Sequence, residues 1–379
     1  SSIKPLATYG PAMDAGIATP DTMVYDRALI QDEEGNPWPM NDGKYPTGRA
    51  MTVKEGMTRS LNTISAQLLK QLTPQKSYEF MTQQLGFKLV DSRTNEDGTV
   101  QSDIDLAPLA LGALTDGVTV REMAGGFSTF INDGVYGGTR TYTKVTDSEG
   151  NTIMENTPNT DKGFTNVRTD YYMLDCLQNV TAHGTAYGIQ LDGVETGGKT
   201  GTTTSNTDIW FCGITPKYSG AVWVGYEHNY RLDGLYGRNA AEIWLAVMQK
   251  VHAGDSGLVF DSHPQDFEEV TYCMDTGLLA SGACRAAGRA ATGRFWKDKV
   301  PTETCSHQNI ENKYDFESMG VDNYYYDDEE DDSDSDSSSS DTDTGNEDSG
   351  DGGSYDSGDS GDSGGDSGDS GDSSEDPEA

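Results

Sequence analysis

The sequence predicts an α+β fold, an antiparallel sheet flanked by helices, followed by a disordered acidic tail. Three observations predict it. Apolar residues recur at helical spacing in four segments, short alternating stretches joined by turn residues read as strands, and the final residues hold almost nothing apolar.

The helical segments are the second half of 52–72 and the stretches 120–131, 171–180 and 240–251. Residues 139–145 and 153–155 flank the turn DSEGN and read as a hairpin. Residues 208–214 and 221–226, joined by TPKYSG, read as a second, with 195–204 as a third strand beside them. From Gly254 to Met319 the chain is a poorly periodic, cysteine-bearing appendix. The predicted organisation is a folded unit over 1–253, an appendix over 254–326 and a tail over 327–379.

The chain has 379 residues, with 63 acids against 26 bases and a formal net charge of −37. The excess is concentrated. Residues 327–379 carry 22 acids and no lysine or arginine, which leaves −15 over the first 326. Such a balance excludes non-specific binding to nucleic acid or anionic lipid, since both need a basic face. No run of about 18 apolar residues occurs, so no segment is expected to span a membrane, and the opening residues do not read as a signal peptide. The tail ends in a GDS repeat, and ordering it would cost entropy that no burial offsets. Its GDSGG string at 361–365, familiar around the nucleophile of chymotrypsin-like proteases, is a chance match in a low-complexity repeat. Asp332, Asp334 and Asp336 lack the glycine and bidentate glutamate of a calcium loop, so a solvated spacer is the expectation.

Three short motifs carry the chemistry. The chain opens Ser1-Ser2-Ile3-Lys4-Pro5, and a serine and a lysine three apart lie on one helix face. Proline is tolerated in a first turn, and Ser1 would sit at the positive end of the helix dipole. Ser60-Leu61-Asn62 sets a hydroxyl and an amide two residues apart. Lys199-Thr200-Gly201-Thr202 follows Gly197-Gly198; on a strand, Lys199 and Gly201 share one face and the threonines the other. Each glycine there lets a second backbone approach closely, as an added peptide strand requires. Singly, these read equally well as a helix cap, a flexible loop and a surface charge. In the order S-x-x-K, S-x-N, K-T-G they form the motif set of penicillin-binding proteins and serine β-lactamases.

With these motifs in place, the chain resembles the transpeptidase domain of a class A, bifunctional penicillin-binding protein. The likeness extends to GRAMTVKEGMTRSLNTISAQLL (48–69), LAPLALGALTDGVTVREMAGGFSTFINDGVY (106–136), MLDCLQNVTAHGTA (173–186), GGKTGTTTSNTDIWFCGITPKYSGAVWVGY (197–226) and EIWLAVMQKVHAG (242–254). It covers roughly residues 1–310. The resemblance implies a penicillin-binding-protein-like sheet that lacks its first strands. It also implies a parent with an upstream glycosyltransferase domain and N-terminal membrane anchor, working at the extracytoplasmic face of a bacterial membrane.

The resemblance further implies acyl transfer at a D-Ala-D-Ala peptide end. Ser1 is the expected nucleophile, Lys4 its base when neutral, Lys199 the second cation, and Ser60 a proton relay to the leaving nitrogen. Asn62 is expected to hold the substrate's peptide group, and Thr200, Gly201 and Thr202 to bind around its terminal carboxylate. The N–H groups of Ser1 and Thr202 would form an oxyanion hole, worth about 3 kcal/mol per donor. The partners are then stem peptides, donor and amine acceptor, and β-lactams that imitate the donor. No cofactor and no metal is implied, and the fragment alone is expected to show little activity. Pro11 is expected to kink the nucleophile helix.

Cys176 and Cys212 read as small core residues. Cys273, Cys284 and Cys305 cluster with His307, but spacings of 11 and 21 match no common zinc pattern. An extracytoplasmic disulfide, Cys273–Cys284 with an odd thiol left over, is the expectation, with free thiols and a metal as alternatives. Asp208 and Trp210 read as packing residues. Three other functions compete. An N-terminal-nucleophile hydrolase would leave S-x-N and K-T-G idle, a β-lactamase would need a deacylating base in an E-x-x-x-N stretch that is absent, and a non-catalytic β-lactam sensor fits the acidic tail.

Overall fold

Two prolines shape the first helical stretch. The computed structural model describes residues 2–31, 35–42, 44–166, 168–203, 205–261 and 266–307. In it Pro5–Tyr9 is π-wound and runs directly into α1 (Gly10–Asp14). Pro11 has no N–H to give the Ala7 carbonyl one turn back. The Ser77 hydroxyl bonds that carbonyl instead, and the Gly10 N–H reaches back five residues to Pro5. The kink expected at Pro11 is thus absorbed as a change of winding.

A short antiparallel pair, β1 (Met23–Tyr25) and β2 (Ala50–Thr52), leads into α2 (Val53–Thr58), which the Thr52 side chain caps at the Glu55 N–H. The helix expected in the second half of 52–72 is present as α3 (Asn62–Leu72), and a separate short helix, α2, precedes it. α2 closes with Ser60 N–H on the Met57 carbonyl and Leu61 N–H on the Gly56 carbonyl, both 2.9 Å, and α3 starts at once. That bond pair is a Schellman closure, which places a residue at positive φ. Here the residue is Ser60, at φ 58°.

α4 (Val120–Ser128) carries a capping box between Thr119 and Glu122. The hairpin expected around DSEGN is present as β3 (Lys144–Thr146) and β4 (Thr152–Glu155). α5 (Arg168–His183) precedes a three-stranded antiparallel sheet of β5 (Gly197–Thr202), β6 (Asp208–Ile214) and β7 (Ser219–Gly225), with β6 central and β5 at one edge. α6 (Gly237–Val251) packs on it, Trp244 against Phe211 with ring centroids 5.4 Å apart. A Cβ on Gly213 would lie 2.5 Å from that indole, so the glycine is what lets α6 seat. α5 backs β5, and a Cβ on Gly197 would press on the Leu177 backbone at 3.2 Å.

The appendix is more ordered than its sequence suggests. β8 (Phe267–Cys273) pairs antiparallel with β9 (Ala290–Trp296), Phe267 opposite Trp296 and Cys273 opposite Ala290, with α7 (Gly282–Ala286) between them. The ribbon docks on α5: Trp296 stacks on Phe267 at 4.5 Å, meets Tyr171 edge-on at 5.9 Å and lies under the Arg168 guanidinium at 4.6 Å. Arg168 also pairs with Asp298 at 2.7 Å. All described residues fall in one compact unit.

Cys176 and Cys212 are fully buried core residues, as expected. The expected Cys273–Cys284 bridge is not formed. All five cysteines are free thiols, and Cys305 and His307 join Cys273 and Cys284 in one cluster. No helix of the described residues is long and apolar enough to cross a membrane. The disordered tail expected over 327–379 and the end of the appendix beyond 307 lie outside the described residues.

Replacing Ser77 by alanine leaves the Ala7 carbonyl buried without its donor. Urea denaturation should show a loss of about 1–3 kcal/mol; an unchanged midpoint would remove Ser77 as the group that accommodates Pro11.

Candidate active site

Lys4 and Lys199 are both fully buried, and they come from separate parts of the chain. Lys4 heads the π-wound stretch. Its ammonium donates to the Ser60 carbonyl at 2.8 Å and to Asn62 Oδ1 at 2.7 Å. Lys199, from the edge strand β5, donates to Ser60 Oγ at 2.8 Å and to the Thr200 carbonyl at 3.0 Å. The turn between α2 and α3 is therefore a bridge, with one ammonium on each side of Ser60. Every one of these acceptors is neutral.

Burying an ammonium disfavours its charged form, and a second cation nearby adds to the effect. Burial first, then the charge of Lys199, hold Lys4 well below the usual lysine value, while Asp42 pulls in the opposite direction. Burial pushes Lys199 down from 10.5 to about 7. An amine that sheds its proton near neutrality is what a serine hydroxyl needs as a base.

The bridge is itself held from below. Asp26, almost fully buried, accepts from Asn41 Nδ2 at 2.7 Å, Thr63 Oγ1 at 2.6 Å, and both the N–H and the hydroxyl of Thr47 at 2.9 and 2.8 Å. Asn41 Oδ1 accepts the Asn62 N–H at 2.9 Å, and Asn62 Nδ2 donates to the Met40 carbonyl at 2.8 Å. Asn62 thus has its oxygen on Lys4 and its nitrogen on the 40–42 loop, which fixes the amide's orientation.

Of the sequence-predicted residues, Lys4, Ser60, Asn62 and Lys199 converge. Ser1 lies outside the described residues, but its neighbour Ser2 sits against β5, where a Cβ on Gly201 would lie 2.8 Å from the Ser2 nitrogen. The close approach that Gly201 permits is thus to the start of the chain's own helical stretch. Thr200 Oγ1 lies 2.6 Å from Thr185 Oγ1, and Thr202 Oγ1 accepts the Gly237 N–H at 3.3 Å. Asp208 accepts the indole N–H of Trp223 at 2.9 Å, a cross-strand packing role. Sequence reasoning missed Thr185, Asp26, Asn41 and Asp42. Thr185 sits in the HGTA string that marked the resemblance, whereas the other three have no spacing signal. A cavity of about 410 Å³ lined by Tyr171, Tyr172, Phe260 and Arg294 lies away from this cleft and contains none of its residues.

The profile of the penicillin binding protein transpeptidase domain matches residues 1–249, and that of the penicillin-binding protein 1A C-terminal domain matches 263–309. The chain belongs to the penicillin-binding protein transpeptidase family. Penicillin-binding protein 1A of Clostridium acetobutylicum is 35% identical over 257 residues, 66% of this chain and 30% of that protein. The same-named protein of Clostridium perfringens is 28% identical over 318 residues, 82% of this chain and 38% of its own length. The chain therefore spans about a third of the curated relatives it matches. Among solved structures, penicillin-binding protein 1A from Haemophilus influenzae superposes with a TM-score of 0.63 at 23% identity, over 80% of this chain and 48% of that one. PonA1 from Mycobacterium tuberculosis gives 0.56 at 24%, over 68% and 70%. At these identities the two structures establish the shared transpeptidase fold.

Two measurements probe this transpeptidase-family cleft. Ser60→Ala and Ser60→Gly lose the same hydroxyl, but only glycine is unstrained at φ 58°. The glycine variant should be the more stable by about 1 kcal/mol in chemical denaturation, and equal stability would show that the turn stores no strain. Lys199 is charged below about 7 in the folded state and below about 10.5 when unfolded. The unfolded chain thus binds more protons between those values, and stability should rise with pH across that window. Relative to Lys199→Met, the parent should gain stability from pH 6 to pH 9, and a pH-independent difference would contradict the buried, depressed lysine.

Proposed function

We propose that this chain carries the acyl-transfer site of a D,D-transpeptidase that cross-links peptidoglycan stem peptides, and that β-lactams acylate the same site. The convergence of two buried lysines on Ser60 carries this reading. Ser1 Oγ attacks the penultimate carbonyl of a D-Ala-D-Ala end, Lys4 takes the hydroxyl proton, and the C–N bond breaks. Lys4 then passes that proton through Ser60, which Lys199 holds, to the nitrogen of the departing D-alanine. An acceptor amine then attacks the Ser1 ester, forms the new amide and returns the proton to Ser1. Asn62 orients the donor peptide, Thr200, Gly201 and Thr202 bind around its carboxylate, and the N–H groups of Ser1 and Thr202 receive the oxyanion.

The parent protein, on this proposal, also bears a glycosyltransferase domain and a membrane anchor and works at the extracytoplasmic face of a bacterial membrane. The family of the longer relatives supports this. A domain boundary near residue 253, ahead of the C-terminal ribbon, belongs to the same proposal and agrees with the separate profiles over 1–249 and 263–309.

The test is covalent labelling of the full-length parent protein, extended upstream of Ser1, by a fluorescent penicillin, with the modified peptide mapped by mass spectrometry. A stable adduct on Ser1, abolished in Lys4→Ala, is expected. In Lys199→Met the pH profile of labelling should move to higher pH, because a cation that lowers the Lys4 pKa has gone. Rapid release of the label would instead indicate a β-lactamase, and a folded protein that does not label would overturn both readings.

A further inference from the structure

Far along the chain from the lysine cleft, three sulfurs and an imidazole converge. Cys273 ends β8, Cys284 lies in α7, and Cys305 and His307 follow β9. The ligand atoms of these four residues all lie within 4.8 Å of one another, and Cys273 Sγ is 3.9 Å from His307 Nδ1. All three cysteines are buried.

Backbone bonds place all three, Cys273 and Cys305 on adjacent residues of one turn. The Cys273 N–H donates to the Leu278 carbonyl at 2.7 Å, the Cys305 N–H to that of Leu279 at 2.8 Å, and the Arg289 N–H to that of Cys284 at 2.8 Å. The Ser281 hydroxyl lies 3.2 Å from Cys284 Sγ, and the His307 N–H donates to Cys305 Sγ at 3.3 Å. His307 adopts this position at φ 51°, a conformation that costs a residue with a side chain.

A disulfide accounts poorly for this arrangement. Any bridge consumes two sulfurs and leaves a third buried thiol and a strained histidine aimed at it. The local core offers no other explanation. It consists of Cys273, Ala280, Cys284 and Cys305, with only Leu278 and Ala290 packed around them. So small an apolar cluster contributes little, and small units of this kind are held by a disulfide or a metal.

We propose that Cys273, Cys284, Cys305 and His307 form a closed, structural zinc site. Three thiolates and one imidazole are a structural zinc donor set. Ligand bonds of about 2.0–2.3 Å in a tetrahedron put neighbouring donor atoms about 3.3–3.8 Å apart, a small contraction from the separations observed. Binding forms three Zn–S bonds and one Zn–N bond, releases three thiol protons to solvent and leaves a net charge of −1 on the site. The Ser281 hydroxyl and the His307 N–H then serve as outer donors to bound sulfur. Spacings of 11 and 21 looked unlike zinc because common patterns place two ligands on one turn. Here Cys273 and Cys284 come from separate elements, and only Cys305 and His307 are near neighbours. With four protein ligands, the site has no open position for catalysis, so its role is to fasten the ribbon that docks on α5. It is independent of the acyl-transfer reading.

The test uses the whole chain purified without chelator. Elemental analysis should find about one zinc per chain, and mass spectrometry after alkylation should find Cys273, Cys284 and Cys305 all reduced. Exchange with cobalt(II) should give the visible bands of a tetrahedral thiolate complex, and Cys305→Ser and His307→Ala should weaken or abolish them. Removing zinc from the parent should expose the 267–307 region to protease while penicillin labelling is followed separately. The proposal is overturned by a Cys273–Cys284 disulfide in the natively purified protein. Zinc well below stoichiometry, or zinc that persists unchanged in Cys305→Ser, would overturn it equally.

Discussion

Two ammonium groups on either side of one serine set the constraint that the rest of this structure serves. Like charges in a dry interior repel, and among the described residues neither lysine draws on a carboxylate as its hydrogen-bond acceptor in the cleft. The arrangement persists because neutral acceptors at the α2–α3 turn and on β5 accept the lysine N–H groups, and because burial drives both amines toward their neutral form. A site that is costly to fold in its charged state favours, for the same reason, the free-base form of its amines.

The surrounding elements make sense as devices that keep this geometry. Ser60 occupies the position where a Schellman closure ordinarily has glycine, so the chain accepts backbone strain to keep a hydroxyl on Lys199 beside the carbonyl that Lys4 uses. The Asp26–Asn41–Thr63 network locks the far side of the turn, and the fixed Asn62 amide follows from it. Gly201 removes the one side chain that would push Ser2 off the strand edge. Pro5 and Pro11 leave the helical stretch with irregular winding, and the Ser77 hydroxyl repairs the carbonyl that Pro11 cannot satisfy. The C-terminal ribbon uses a different means of support, an aromatic anchor at Trp296 at one end and the sulfur cluster at the other.

Much of the helical and central-sheet layout could be read from the chain because periodicity reports burial directly. The strand 208–214 is apolar and flanked by turn residues, and 171–180 and 240–251 keep helical spacing. Two places were illegible for physical reasons. The left-handed turn at Ser60 has no glycine to announce it, since serine stands where glycine would. The ribbon strand FEEVTYC exposes part of both faces, so it does not alternate cleanly.

The sequence by itself determined which chemical groups the cleft can draw on, because S-x-x-K, S-x-N and K-T-G are local strings that supply hydroxyls, two amines and an amide. It also determined the main helices and the three central strands, which depend on near-neighbour patterning. Only the tertiary structure decided the state of those groups. The depressed pKa of each lysine, the partner of each amide and the meeting of Cys273, Cys284, Cys305 and His307 depend on burial and on distances between segments far apart in the chain, which residue spacing does not encode.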